Sequence, residues 1–106
     1  MNNNRIYSIS EIKQVIFPIA KRYGISSIYI FGSYARGDAT AKSDVDIYIP
    51  SLPATMGLSY FGMYEDLKES LDKNIDIVTD DTEFLNAADK QNFLNNINRD
   101  KVYVYE

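Results

Sequence analysis

Asp44 and Asp46 stand two residues apart in the run Asp44-Val45-Asp46-Ile47-Tyr48-Ile49, and a third acid, Asp76, interrupts the apolar run Ile75-Asp76-Ile77-Val78. The alternation in the first run predicts a strand over 44–49 that stops at Pro50. Both carboxylates then leave one face, separated by about 7 Å of backbone rise. Carboxylates this close repel one another and raise one pKa, and a bound divalent cation relieves the repulsion. Two magnesium ions about 3.5 to 4 Å apart are the usual device for in-line displacement at phosphorus, one activating the attacking oxygen and the other steadying the leaving oxygen. Asp76 is a charge out of place in a strand unless a neighbouring strand brings it to the same cluster. There it can take the proton from an incoming hydroxyl. The structural alternative is a strand-edge charge paired with Lys73 or another cation.

The chain has no Cys and no His, which removes disulfides, thiolate nucleophiles, Cys/His zinc sites and any imidazole base. Chemistry falls to carboxylates, hydroxyls and cations, a donor set for magnesium or manganese. The formal charge of −4 and the scattered Lys and Arg give no basic stripe for a long nucleic acid. A nucleotide arriving with its own magnesium needs no such stripe.

A phosphate grip is available upstream. Gly32-Ser33 directly follows the apolar run Ile28-Tyr29-Ile30-Phe31, so a strand is predicted to end in a turn or short helix. Backbone N–H groups and the Ser33 hydroxyl would hold a phosphate there, and Gly32 lets the backbone approach closely. Arg36 and Lys42 are candidates to add positive charge near a triphosphate, or to face solvent. The segment lacks the Gly-Lys-Ser/Thr ending of a Walker loop and the glycine spacing of a dinucleotide fingerprint. Ser33 has no imidazole to activate it as a covalent nucleophile.

The elements that must position these residues are legible in outline. Ile9, Ile12, Val15, Ile16, Ile19 and Tyr23 recur at helical spacing behind a Ser8/Glu11 capping box, predicting a helix over 8–23 ended by Gly24. Pro18 within it predicts a kink or a helix in two parts. After the strand at 28–31 and the turn come the 44–49 strand and a loop at 51–57. A helix capped by Ser59 runs to about Leu71 with Phe61, Tyr64, Leu67 and Leu71 inward. Residues 74–78 predict a third strand, 83–98 a less regular helix, and Val102 to Tyr105 a short edge strand. Leu52, Met56, Leu58 and Phe61 give the segment 51–62 unusual apolar content, explained by partner contact or by core packing.

The run from Gly32 through Ser33, ten intervening residues and Asp44-Val45-Asp46 resembles the signature of the DNA-polymerase-beta-like nucleotidyltransferase superfamily. More narrowly, Phe31-Gly32-Ser33-Tyr34-Ala35-Arg36-Gly37 with Ser43-Asp44-Val45-Asp46 resembles the minimal nucleotidyltransferases that are antitoxins to HEPN-family ribonuclease toxins. The resemblance implies an α/β fold, a small mixed sheet flanked by helices. It implies that Asp44, Asp46 and Asp76 bind two Mg2+ ions, that Gly32 and Ser33 hold the nucleotide, and that AMP passes from ATP to a tyrosine of a HEPN toxin; Arg36 and Ser43 are further candidates for binding the nucleotide.

At 106 residues the chain is expected to form one domain over its whole length, with one core and little to spare. No apolar run approaches the roughly 20 residues that span a bilayer, so the expected location is the cytoplasm, with no membrane partner. Two other functions stay open. A small-molecule, antibiotic-type nucleotidyltransferase would need a second wall to its pocket, which a homo-oligomer would supply. An inactive relative would neutralise its partner by contact alone. Any exposed member of the nine tyrosines is a candidate acceptor of AMP from the enzyme itself.

Overall fold

The computed structural model describes residues 5–79, 95, 99 and 101–105. Helix α1 (Ile9–Arg22) leads into strand β1 (Ile28–Phe31), the short helix α2 (Gly32–Arg36) and strand β2 (Val45–Tyr48). Helix α3 (Ser59–Leu71), strand β3 (Ile75–Val78) and strand β4 (Val102–Tyr105) follow. The helix expected over 83–98 lies outside the described residues. Among them, no helix is long and apolar enough to cross a membrane.

Local chemistry sets the ends of α1. The Ser8 hydroxyl accepts from the Glu11 amide at 3.1 Å while the Glu11 carboxylate accepts from the Ser8 amide at 3.0 Å, satisfying two otherwise orphaned donors. At the other end Gly24 takes φ +75°, and the amides of Gly24 and Ile25 close back onto the carbonyls of Lys21 and Ala20. That left-handed turn suits a residue without Cβ. Pro18 does not split the helix, which runs in one piece from Ile9 to Arg22. Its missing N–H would have served the Gln14 carbonyl, and both residues face solvent, so water can take the donor's place.

The strands form one mixed sheet in the order β3-β2-β1-β4. β1 pairs antiparallel with β2 and β4, and β2 pairs parallel with β3. The edge position of β4 agrees with the sequence reading. Alternation divides the sheet: Ile28, Ile30, Val45, Ile47 and Ile75 enter the core with Ile12, Ile16 and Ile19 of α1 and Met63, Leu67 and Leu71 of α3. The opposite parity carries Tyr29, Phe31, Asp46, Tyr48 and Asp76. Each fully buried Ile or Leu in that core stabilises by roughly 1.5–3 kcal/mol relative to exposure. Polar ties fix the helices to one another. The Tyr7 hydroxyl donates to the Leu71 carbonyl at 2.6 Å, and Asp66 accepts from Tyr23 at 2.7 Å and from Arg22 at 3.3 Å.

Two details of α3 differ from expectation. Leu58 is the N-cap, and Ser59 is already helical. The first amides donate to carbonyls three residues back, Ser59 to Met56, Tyr60 to Gly57 and Phe61 to Leu58, so no side-chain cap is used. Phe61 points outward and is 64% exposed. The buried stripe is Met63, Leu67 and Leu71, flanked by Tyr60 and Tyr64, and Phe61 lies about 110° around the helix from its centre. Within the 51–62 segment, Met56 is buried and Leu52 packs on the core, whereas Leu58 and Phe61 are exposed.

Candidate active site

Strand register brings the acids together. Asp46 lies opposite Asp76 across the parallel β2–β3 pair and opposite Phe31 across the antiparallel β1–β2 pair. Gly32, the next residue after Phe31, therefore arrives directly over Asp46. A Cβ at position 32 would overlap the Asp46 Oδ2 atom, and Gly32 also has φ +75°. Both the space and the backbone angle require glycine. The turn opens α2, which closes at Gly37, φ +84°, with the amides of Gly37 and Asp38 both donating to the Ser33 carbonyl at 3.0 Å.

The Asp46 carboxyl is raised from its ordinary value of 3.8 to about 6. Burial is the largest cause, followed by the charges of Asp76 and then Asp44, and by a hydrogen bond with Asp76; the Arg36 guanidinium pulls the other way. Desolvated charge and like-charge crowding act together. Asp44 is exposed and sits one residue before the start of β2, so the predicted strand is trimmed to 45–48. It is close enough to Asp46 to oppose its ionisation. The β2–β3 ladder extends past both strand ends: the Val45 amide donates to the Asn74 carbonyl at 3.0 Å and the Ile49 amide to the Val78 carbonyl at 2.9 Å.

The three aspartates share one neighbourhood without being closed into a cage. Among the described residues, no group of three or more Asp, Glu, His or Cys is gathered tightly enough to hold a metal ion. Their chemistry still fits a hard cation: all donors are carboxylate oxygens, and the part of the Asp46 rise that comes from the charges of Asp76 and Asp44, second to burial, is repulsion that a divalent ion would relieve.

The cationic and hydroxyl candidates lie around this cluster. Arg36 is exposed, its Nε 3.4 Å from the Asp38 carboxylate. Lys42 is exposed on the loop before β2. The Ser43 hydroxyl is turned into that loop, accepting from the Thr40 amide at 2.8 Å and lying 3.4 Å from the Thr40 hydroxyl. The Ser43 amide in turn donates to the Thr40 carbonyl at 3.0 Å.

One residue at this site was not read from the sequence as part of it. Lys73 is only 8% exposed, and its Nζ donates to the Ala41 carbonyl at 3.0 Å, joining the start of β3 to the loop that delivers Asp44. No local signal marked it, since Lys73 lies in the bend between α3 and β3, outside the alternation of the strand.

A family model described as polymerase beta, nucleotidyltransferase, matches residues 13–106. A Methanocaldococcus jannaschii relative, provisionally named a protein adenylyltransferase, is 36% identical over 72 residues, covering 68% of this chain and 77% of its own. The protein adenylyltransferase MntA of Thermococcus cleftensis is 30% identical over 86 residues, 81% of each chain. Among solved structures, the complex of a tri-AMPylated Shewanella oneidensis HEPN toxin with an MNT antitoxin aligns with a TM-score of 0.61 at 15% identity, over 91% of this chain and 71% of that one. That identity supports the fold alone.

Proposed function

The chain belongs to the polymerase-beta nucleotidyltransferase family, and on that premise we propose that it is a protein adenylyltransferase. It transfers AMP from ATP to a hydroxyl, a tyrosine of a HEPN-family ribonuclease toxin, and so acts as the antitoxin. The observation that carries this reading is the register that sets Asp46 beside Asp76 with the Gly32-Ser33 turn directly above them. The names of the relatives supply the acceptor class.

The backbone at Gly32-Ser33 and the Ser33 hydroxyl hold the triphosphate, and Arg36 exchanges its Asp38 contact for a phosphate oxygen. Asp44, Asp46 and Asp76 hold Mg2+, which when bound neutralises the crowded charge on the carboxylates and on the phosphates. Asp44 is exposed and lies near enough to Asp46 to raise its pKa. Asp76 takes the proton of the acceptor hydroxyl. The acceptor oxygen forms its bond to the α-phosphorus as the bond from that phosphorus to the bridging oxygen breaks, and pyrophosphate leaves. Most of the rate gain is positioning and charge stabilisation by rigid groups.

The test is transfer of label from α-labelled ATP in the presence of Mg2+, with and without a HEPN toxin, compared with an Asp44→Ala, Asp46→Ala double variant. Label on the toxin that vanishes in the double variant is the expected result. A folded wild-type protein that releases no pyrophosphate with any acceptor would leave contact alone as the means of neutralisation.

A further inference from the structure

Lys is among the residues least often buried, because its ammonium must keep a partner. Here one Lys is drawn in at the junction of two segments the active site depends on. Asp72 ends α3 in the left-handed region, φ 51°, with its amide on the Lys68 carbonyl at 2.8 Å. That turn sends Lys73 inward, where its Nζ meets the Ala41 carbonyl 32 positions earlier in the chain. Ala41 lies within the Thr40–Ser43 turn, which is buckled by its own hydrogen bonds: Thr40 amide to Ser43 hydroxyl at 2.8 Å, Ser43 amide to Thr40 carbonyl at 3.0 Å, and Lys42 amide to Thr40 hydroxyl at 3.3 Å. Two residues beyond Ser43, the Val45 amide joins the Asn74 carbonyl. Asp44 is therefore the one residue between a self-locked turn and the first rung of the β2–β3 ladder. Lys73 and Asn74, adjacent in sequence, grip both sides of it.

We infer that Lys73 is a positioning residue for the Asp44 carboxylate. By clamping the Thr40–Ser43 turn to the start of β3, it sets Asp44 at a fixed distance from Asp46 and Asp76. The same contact ties the segment carrying Asp44 to the strand carrying Asp76, so the two acids move as one unit. This inference rests on the metal-binding reading of the three aspartates given above. The Lys73 ammonium acts on the backbone, and a charge-assisted bond to a carbonyl is the stronger kind.

The test compares wild type with Lys73→Met, which keeps the apolar stem and loses the donor, and with Lys73→Arg, which keeps a cationic donor. Mn2+ alone is the probe, its affinity measured by titration without nucleotide, and amide hydrogen exchange is followed in the metal-free proteins. Lys73→Met is expected to bind Mn2+ roughly tenfold more weakly, the usual scale for loss of a group that orients a metal ligand. Its Ser43 and Val45 amides are expected to exchange about tenfold faster while the Ile30 amide in β1 is unchanged. Lys73→Arg recovers most of both. Wild-type Mn2+ affinity in Lys73→Met overturns the inference alone, as does acceleration spread equally over Ile30, which would mark a general loss of stability. Failure of the wild-type protein to bind Mn2+ overturns the functional reading and this inference together.

Discussion

Replacing Asp46 by Asn should make the metal-free protein more stable near neutral pH while removing its function. The Asp46 carboxyl is raised from 3.8 to about 6 by burial and by Asp76 and Asp44. A raised acid binds its proton more tightly in the folded state, so its favourable share of stability is full below about pH 4 and is lost as pH climbs through about 6. Above that, the folded protein carries an ionised, crowded carboxylate. A shift of about two units corresponds to roughly 3 kcal/mol. Asp46 is only partly shielded from water, and solvent screening reduces the figure to about 1–2 kcal/mol. Asn keeps the shape, cannot ionise, and can donate to Asp76. For a domain of this size the gain corresponds to a rise in Tm of roughly 5–10 °C. The assay is thermal unfolding with EDTA at about pH 7 and about pH 4, where the advantage should shrink toward zero. An Asn variant no more stable than wild type at neutral pH, or an advantage that persists unchanged in acid, would refute the reasoning.

Gly32→Ala should destabilise by roughly 2–4 kcal/mol and abolish transfer, since the new Cβ meets the Asp46 carboxylate at a backbone angle favouring glycine; unfolding and label transfer check both. On the proposed mechanism, Asp76→Asn should fold normally yet lower kcat by about 10²–10⁴, measured as initial rate of transfer, because it removes the proposed base and one proposed metal ligand. Tyr34→Phe should change stability by no more than about 1 kcal/mol in denaturant melts, because among the described residues the buried Tyr34 hydroxyl makes no well-formed hydrogen bond, only a weak contact with the Tyr7 backbone. Its ionisation is likewise pushed up, mainly by burial.

The order of elements could be read from local pattern, and so could the groups proposed for the site. Apolar runs marked β1 and β3 and alternation marked β2, each to within a residue or so, and the capping box and Gly24 fixed both ends of α1, because each depends on neighbours within a turn or two. Residue type and spacing alone selected Asp44, Asp46, Asp76, Gly32 and Ser33. Periodicity failed where an apolar residue lay just off the buried stripe: Phe61 was assigned inward, and Met63 took that place. Pro18 read as a kink or a split, yet α1 runs in one piece because its solvent-facing side tolerates the missing donor.

Tertiary structure decided what no local window contains. Strand pairing set Asp46 opposite Asp76 and Phe31, and a slip of one residue would have turned one acid to the opposite face. The same pairing made Gly32 necessary twice over, for its angle and for the space filled by Asp46. It also drew Lys73, read from sequence as a candidate partner of Asp76, to the Ala41 carbonyl in the turn that delivers Asp44. Sequence determines which groups are available and which face of an element they leave. Distances between groups on different elements arise only when the core closes, because they depend on packing and register among segments far apart in the chain.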